Sequence, residues 1–491
     1  MSMSQALAKN TLQLTLALIG QKLLAFIYAI VIARRLGVIG NGQYFLAFSF
    51  VSICSSLADL GINAVFIRDS AQQPEKRQSL FMTSLSLKAV LVILMVILAN
   101  SAAWLLGYST ELRLMIAIVA VSAAFEATHS LFFSALRSIQ QLKYESAILI
   151  SGQVLQVVIG GVLMVFTTSP VPLVIAVLVT NIFNLAAATY FVRRKLNLKF
   201  SFRTSRGQIK AFAYAAAPFA LAGVFAKIYS YTDSIILSKI ASHESLGYYG
   251  VAYKFTYAFQ FLPLAFIAGL YPAFAELYRK DSARLSQLFQ RSMWYMSVLS
   301  FPLVFGVWAV GDKLIRGVYG SAYIPAIPTM YILFPVLILI FLDFPVTSLL
   351  NATHQTVIKT KIMGLTVVIN VIANLILIPK MAEQGAAWAA VISFSFMYLA
   401  GLAVAIRLFQ LNIKQLLITT VRVLAASLVM YFAVVLAKPY CAWYILVTIG
   451  IATYPLALFA LKGIKMEDLR AFQELFRKKA QVMEPVEELP S

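Results

Sequence analysis

The sequence predicts an all-α polytopic membrane protein of about fourteen transmembrane helices, built as two parallel-repeat six-helix bundles plus two accessory helices. Three observations carry that expectation. The first is composition: 61% of the 491 residues are hydrophobic, only 12% are charged, and the mean hydropathy is +0.84. A soluble chain carries about a quarter charged residues. The second is that apolar runs recur from end to end, each about 20 residues long and able to cross a ~30 Å hydrocarbon core as a helix. The alternating ~10-residue pattern of a β-barrel is absent. The third is a stretch that occurs twice, IYAIVIARRLGVIGNGQYFLAFSF from Ile27 and YTDSIILSKIASHESLGYYGVAYKF from Tyr231. A shift of 205 residues lays Arg34 on Lys239, Gly42 on Gly247, Tyr44 on Tyr249, Phe50 on Phe255 and Lys22 on Lys227, without a gap. Internal repeats of hydrophobic segments are the usual build of secondary transporters.

The first six spans read as 11–33, 42–67, 80–106, 112–136, 145–168 and 171–192. The next six read as 211–238, 247–272, 290–311, 326–350, 361–379 and 385–406, and the accessory pair as 415–437 and 442–461. This divides the chain into an N-terminal bundle (1–192), a basic cytoplasmic linker loop (193–210), a C-terminal bundle (211–406), the accessory region (407–464) and a cytoplasmic tail (465–491). With the N-terminus inside, 27 of the 40 Lys and Arg fall on the inner side and 8 at outer ends. The positive-inside rule then puts both termini in the cytoplasm and the protein in the cell membrane, inner or plasma. It also accounts for the net charge of +21 without a nucleic-acid partner. An even number of spans precedes the linker, so the two bundles enter the membrane in the same orientation. In the tail, Met466, Leu469, Phe472 and Phe476 share one side of a predicted amphipathic helix, suited to resting on inner-leaflet lipids.

Ionisable residues inside spans mark functional candidates, because each costs on the order of 3 kcal/mol near the bilayer centre. The bases are Lys22, Lys88, Lys227, Lys254 and Arg422, and the acids are Asp59, Glu126, Asp233 and Asp343. In the second span Ser49, Ser52, Ser56, Asp59 and Asn63 fall at steps of three and four, one stripe of a helix. Spans one, two, seven and eight thus present ionisable groups at corresponding places in the two halves, and packing those halves face to face would enclose a net-positive cavity. Structural pairing is the alternative: Asp59 bonding Lys22, with Lys88 and Arg422 snorkelling to the inner surface. Glu126 and His129, one turn apart, suit either a proton or cation relay or an interhelical hydrogen bond. Prolines 218, 263, 302, 335, 345 and 455 lie within spans and free backbone carbonyls there.

The two cysteines, Cys54 and Cys441, build neither a disulfide framework nor a metal site. There is no G-x-x-x-x-G-K-[ST] loop, no H-E-x-x-H and no nucleophile elbow. A secondary-type transporter is therefore expected rather than an enzyme, with no cofactor.

Several short motifs in order carry a resemblance. They are Ala33-Arg34-Arg35-Leu36-Gly37 with Gly42-Gln43-Tyr44, then Asp59-Leu60-Gly61, then Asp233 with Ile235-Ile236-Leu237. Gly247-Tyr248-Tyr249-Gly250 and Pro379 with Gly385-Ala386-Ala387 follow. Over nearly the whole chain this resembles the polysaccharide-transporter branch, O-antigen flippase-like, of the multidrug/oligosaccharidyl-lipid/polysaccharide (MOP) exporter superfamily. The resemblance implies two six-helix bundles forming a V around a cavity lined by spans one, two, seven and eight. It implies undecaprenyl-pyrophosphate-linked oligosaccharide as cargo, moved to the outer leaflet by alternating access, with proton or sodium coupling and polysaccharide polymerase or assembly proteins as partners. Lys22, Lys227 and Lys254 would then bind the anionic head group. Asp59, Glu126 and Asp233 would serve ion coupling, or Asp59 would balance Lys22. Arg34 and Lys239 would form an outer gate. A multidrug cation exporter of the same superfamily is the main rival, and predicts a cavity dominated by carboxylates. A membrane glycan polymerase or ligase is disfavoured by the short outer loops, and a non-transporting scaffold would leave flipping intact when lost.

Overall fold

The computed structural model describes residues 3–196, 206–278, 280–409, 411–461 and 463, and every regular element among them is a helix. Linker residues 197–205 and the expected amphipathic segment 465–479 lie outside the described residues.

Helix Met3–Asp59 would run about 85 Å at 1.5 Å per residue, far more than one membrane crossing. One residue inside it is not helical: Gly37, at φ 68° and ψ −175°. Phe26, on one arm, lies 5.8 Å from Phe255, and Phe45, on the other, lies 5.3 Å from Tyr253. Both arms therefore stand level with one short stretch of the eighth span, and the chain reverses at Gly37. The expected loop of 34–41 is thus a one-residue corner, at a φ that glycine adopts without penalty. Helix Thr356–Phe409 does the same at Ala382, φ 46°. There Asn370 Nδ2 donates to Ser393 Oγ across the two arms at 3.1 Å.

Ten helices are long and apolar enough to span, two of them these hairpins. With each hairpin counted twice, and the seventh and eighth spans added, the described chain makes fourteen passes. In order they are 3–36, 38–72, Arg77–Leu105, Thr110–Ser138, Leu142–Phe166, Val171–Leu196, Arg206–Ile240 and 243–277. The rest are Ser282–Val318, 326–352, 356–381, 383–409, Ile413–Ala437 and Trp443–Ala460.

Three spans expected to be continuous are broken. The second stops at Asp59 and restarts at Ile62, with Leu60 and Gly61 both at positive φ. The eighth stops at Ala258, passes through a 3-10 turn, and restarts after Pro263, whose ring and missing N–H interrupt the ladder. These are the second spans of their respective halves. The tenth breaks similarly at Pro335, between Leu333 and Val336.

On the third span Leu91, Met95, Ala99 and Ala103 are buried, while Val90, Ile93, Leu94 and Ile97 are exposed. The exposed stripe is the lipid-facing side of a membrane helix. The largest apolar cluster joins the halves, with Tyr28, Phe45 and Phe50 from the first meeting Leu237, Tyr249, Phe255 and Phe334 from the second. A separate cluster holds the accessory pair to the ninth span: Phe301 and Phe305 pack with Met430, Val434 and Leu446.

Candidate functional site

One end of the interface between the halves is shut, by contacts that come in repeat-related pairs. Arg34, at the end of the first span, donates to the Gly317 carbonyl in the last turn of the ninth at 3.0 Å. Its repeat equivalent Lys239, at the end of the seventh span, donates to the Leu106 carbonyl capping the third. A helix's C-terminal carbonyls are its negative end, so each cation sits where the helix dipole favours it. The preceding residues are paired too. Tyr323 Oη donates to the Ala33 carbonyl at 2.8 Å, and Tyr108 Oη hydrogen-bonds Ser238 Oγ at 2.8 Å. Lys239 also stands 3.7 Å over the Tyr108 ring. Every one of these contacts crosses from one half to the other.

The seal beneath is backbone on backbone. A Cβ built on Gly42 would meet the His243 carbonyl at 2.7 Å, and one on Gly247 would overlap the Val38 carbonyl. Glycine is required at both positions by this close approach.

Away from the shut end, a cavity of about 480 Å³ opens between the second, third, fourth, sixth and seventh spans. Its charged lining is Asp59, Lys88, Glu126 and Lys227, with Ser52, Ser56, Asn63 and Asn181 among its polar groups. Glu126 is within electrostatic reach of both Lys227 and Lys22. Its side chain has exposed surface although it lies mid-span, because it faces this cavity.

Lys88 departs from expectation. It is 1% exposed rather than snorkelling, and its Nζ donates to Asp59 Oδ1 (3.4 Å), Asn63 Oδ1 (3.0 Å) and the Ala127 carbonyl (2.8 Å). Asp59 is therefore bonded to Lys88, not to Lys22. Two lysines and two carboxylates in the lining bring the cavity nearer to charge balance than expected, with Lys22 as the further cation. Lys359, just before the expected eleventh span, is also buried. It donates to both carboxylate oxygens of Asp343 at 2.8 and 2.9 Å.

The remaining expected residues divide. Lys254 is half-buried, 5.3 Å from the Tyr44 ring, and outside the cavity lining. Asp233 is 3% exposed and accepts from Tyr249 Oη and from the Ser234 amide, so it faces the seventh–eighth span interface rather than the cavity. His129 bonds Asn181 at 3.3 Å, and Asn181 donates to Ser122 Oγ at 2.9 Å, which is an interhelical hydrogen-bond chain. The sequence did not single out Tyr108, Tyr323 or Asn181. A tyrosine shortly after the third span, and another after the ninth, was the available signal.

A family model described as polysaccharide biosynthesis protein matches residues 31–328, well over half of the chain. The chain belongs to this family. A family relative, the probable low-salt glycan biosynthesis flippase Agl15 of Haloferax volcanii, is 23% identical over 393 residues, 79% of this chain and 81% of its own. Among solved structures, the lipid II flippase MurJ in an inward closed conformation superposes with a TM-score of 0.74 at 16% identity, over 90% of this chain and 97% of that one. An inward-facing MATE-family multidrug transporter of the MOP superfamily gives 0.66 at 15% identity, over 79% and 94%. At such identities the solved structures establish a common fold. Family, fold and spans make this chain a multi-pass membrane protein of a polysaccharide biosynthesis family.

Proposed function

We propose that the chain is a flippase that carries an undecaprenyl-pyrophosphate-linked oligosaccharide, a polysaccharide or O-antigen repeat unit, from the inner to the outer leaflet of the cytoplasmic membrane by alternating access. The observation that carries this reading is the polar cavity walled by both halves beneath an end held shut by repeat-related contacts. The basic end of the bundle, with Arg193, Arg194 and Lys195 in the last turn of the sixth span, is then cytoplasmic.

In this mechanism Lys22 and Lys227 receive the pyrophosphate, where low-dielectric walls strengthen the attraction. Glu126 is their resident counter-charge while the cavity is empty. The arriving head group competes with Glu126 for the two lysines, and a proton or sodium ion taken up by Glu126 removes that competition. Coupling follows from the exchange. Release on the far side requires Arg34 and Lys239 to leave their helix-end carbonyls. Export of organic cations fits less well, because both cavity carboxylates already have a lysine within reach.

The test is flipping of a lipid-linked oligosaccharide in proteoliposomes. Charge-assisted contacts contribute roughly 1.5–3 kcal/mol each, so Lys22→Ala with Lys227→Ala is expected to slow flipping by about a hundredfold or more. Wild-type flipping by the double variant would remove the cavity assignment.

A further inference from the structure

Lys227 stands between two different surfaces. On one side it lines the central cavity with Asp59, Lys88 and Glu126. On the other its Nζ lies 5.7 Å from the centre of the Tyr231 ring. From Tyr231 a run of rings continues along the eighth span. Tyr231 and Tyr253 are 6.0 Å apart between ring centres, and Tyr253 and Tyr257 are 4.1 Å apart. Phe394 of the twelfth span ends the run, 6.4 Å from Tyr257.

The run belongs to the interface between the halves. Phe45 of the second span lies 5.3 Å from Tyr253 across it. Under the 205-residue shift Tyr253 and Tyr257 fall on Phe48 and Ser52, and both of those line the cavity. Lys227 and Tyr257 are each about 20 Å along their helices from the shut end, so base and rings stand at one depth. Tyr231, Tyr253 and Tyr257 are half-buried there. Their neighbour Tyr249 shows the contrast: it is fully buried, and its hydroxyl donates to Asp233.

Half-open phenol rings beside a cationic site suit one kind of ligand. An aromatic face carries partial negative charge. The C–H bonds on one face of a pyranose are polarised by the oxygens around the ring, so that face is drawn to an aromatic one. The sugar's hydroxyls project sideways, where phenol oxygens can both donate to them and accept from them. An isoprenoid chain has no hydroxyl to meet those phenols. The covalent order of the cargo fixes the place as well. The first sugar of a glycosyl pyrophosphate is joined to phosphorus through a single oxygen, so a phosphate held at Lys227 brings that sugar to the rings.

We propose that Tyr231, Tyr253 and Tyr257 form a stacking platform for the sugar next to the pyrophosphate. This rests on the head-group site at Lys22 and Lys227 and adds a sugar subsite to it. Stacking reads the face of the pyranose rather than the pattern of its hydroxyls, so the platform accepts sugars of different identity.

The experiment measures equilibrium binding to the full-length protein in nanodiscs. The probes are undecaprenyl pyrophosphate and the same lipid carrying a disaccharide of N-acetylglucosamine. The wild type is expected to bind the sugar-bearing lipid about tenfold more tightly than the sugarless one. Tyr253→Leu with Tyr257→Leu keeps apolar bulk but removes both rings. It should lower the affinity for the sugar-bearing lipid to that of the sugarless one. Tyr253→Phe with Tyr257→Phe keeps the rings and should retain most of the preference. Lys22→Ala with Lys227→Ala should weaken both lipids alike. Two results overturn the platform and leave the head-group site standing: equal binding of the two lipids by the wild type, and a full sugar preference in the leucine variant. A leucine variant that weakens both lipids equally also overturns the platform, because the rings would then serve the isoprenoid chain or the packing. Binding of neither lipid by the wild type overturns the head-group site together with the platform.

Discussion

The two halves of this bundle share a chain path and a shut end, but not a cavity wall. At the shut end the repeat is nearly literal: Arg34 and Lys239 each cap a helix of the other half, Ala33 and Ser238 each meet a tyrosine, and Gly42 and Gly247 each admit a backbone. In the middle of the membrane the copies part. The stripe Ser49, Ser52, Ser56 and Asp59 of the second span falls, under the same shift, on Lys254, Tyr257, Phe261 and Leu264 of the eighth. Hydroxyls and a carboxylate on one side become a lysine, two rings and a leucine on the other. Tyr253 and Tyr257 stand 4.1 Å apart, with Tyr231 and Tyr249 beside Tyr253. The repeat is kept where the halves close on each other, and lost in mid-membrane.

The contrast can be broken most forcefully at the glycines. Gly247→Ala puts a methyl group into the Val38 carbonyl, and overpacking of this kind costs about 1–3 kcal/mol. The shut end should therefore open roughly ten- to a hundredfold more often, read as maleimide labelling of a cysteine placed at buried Phe45. Gly42→Ala should do the same to a similar degree. Unchanged labelling in both would mean that close backbone approach is not the seal.

A smaller effect probes the asymmetric wall. Asp59→Ala strips Lys88 of its carboxylate but leaves it Asn63 and the Ala127 carbonyl. The expected loss is about 1–2 kcal/mol of stability, seen as a lower Tm in detergent. An unchanged Tm would show that the Asn63 and Ala127 oxygens suffice.

The smallest effects are expected at the latch cations. Arg34→Ala and Lys239→Ala should each raise the same labelling by about two- to fivefold, corresponding to 0.3–1 kcal/mol for an exposed cation at a helix end. The prediction is their equality, and a clear difference between them would show that the two latches do not bear on the same motion.

Much of this was legible in the sequence, for a physical reason. A parallel repeat keeps residues in register wherever both copies perform the same task, so a single shift found Arg34 with Lys239 and Lys22 with Lys227. Distance along a helix was also legible, which placed the charges at their depths. The rotation of each helix about its axis was not. Lys88 is buried because Leu85, Leu91 and Met95 turn the same side of the third span inward, and no count along the chain reveals that. Asp233 was expected to serve ion coupling, yet it turns toward Tyr249. Tyr108 and Tyr323 escaped because they lie in connections of unequal length, 215 residues apart rather than 205. The break at Leu60–Gly61 had only a glycine to announce it, whereas Pro263 gave a mechanism for its own.

The one-residue corner at Gly37 leaves the first and second spans no slack at the shut end, so any tilt of one would carry the other. The second span then stays stiff over residues 38–59, about 33 Å, before it breaks. Its counterpart stays stiff for 16 residues, about 24 Å. A rocking motion would thus flex the two walls at different depths. The passage it opens would be a skewed funnel, and a long head group would have to turn on its way through.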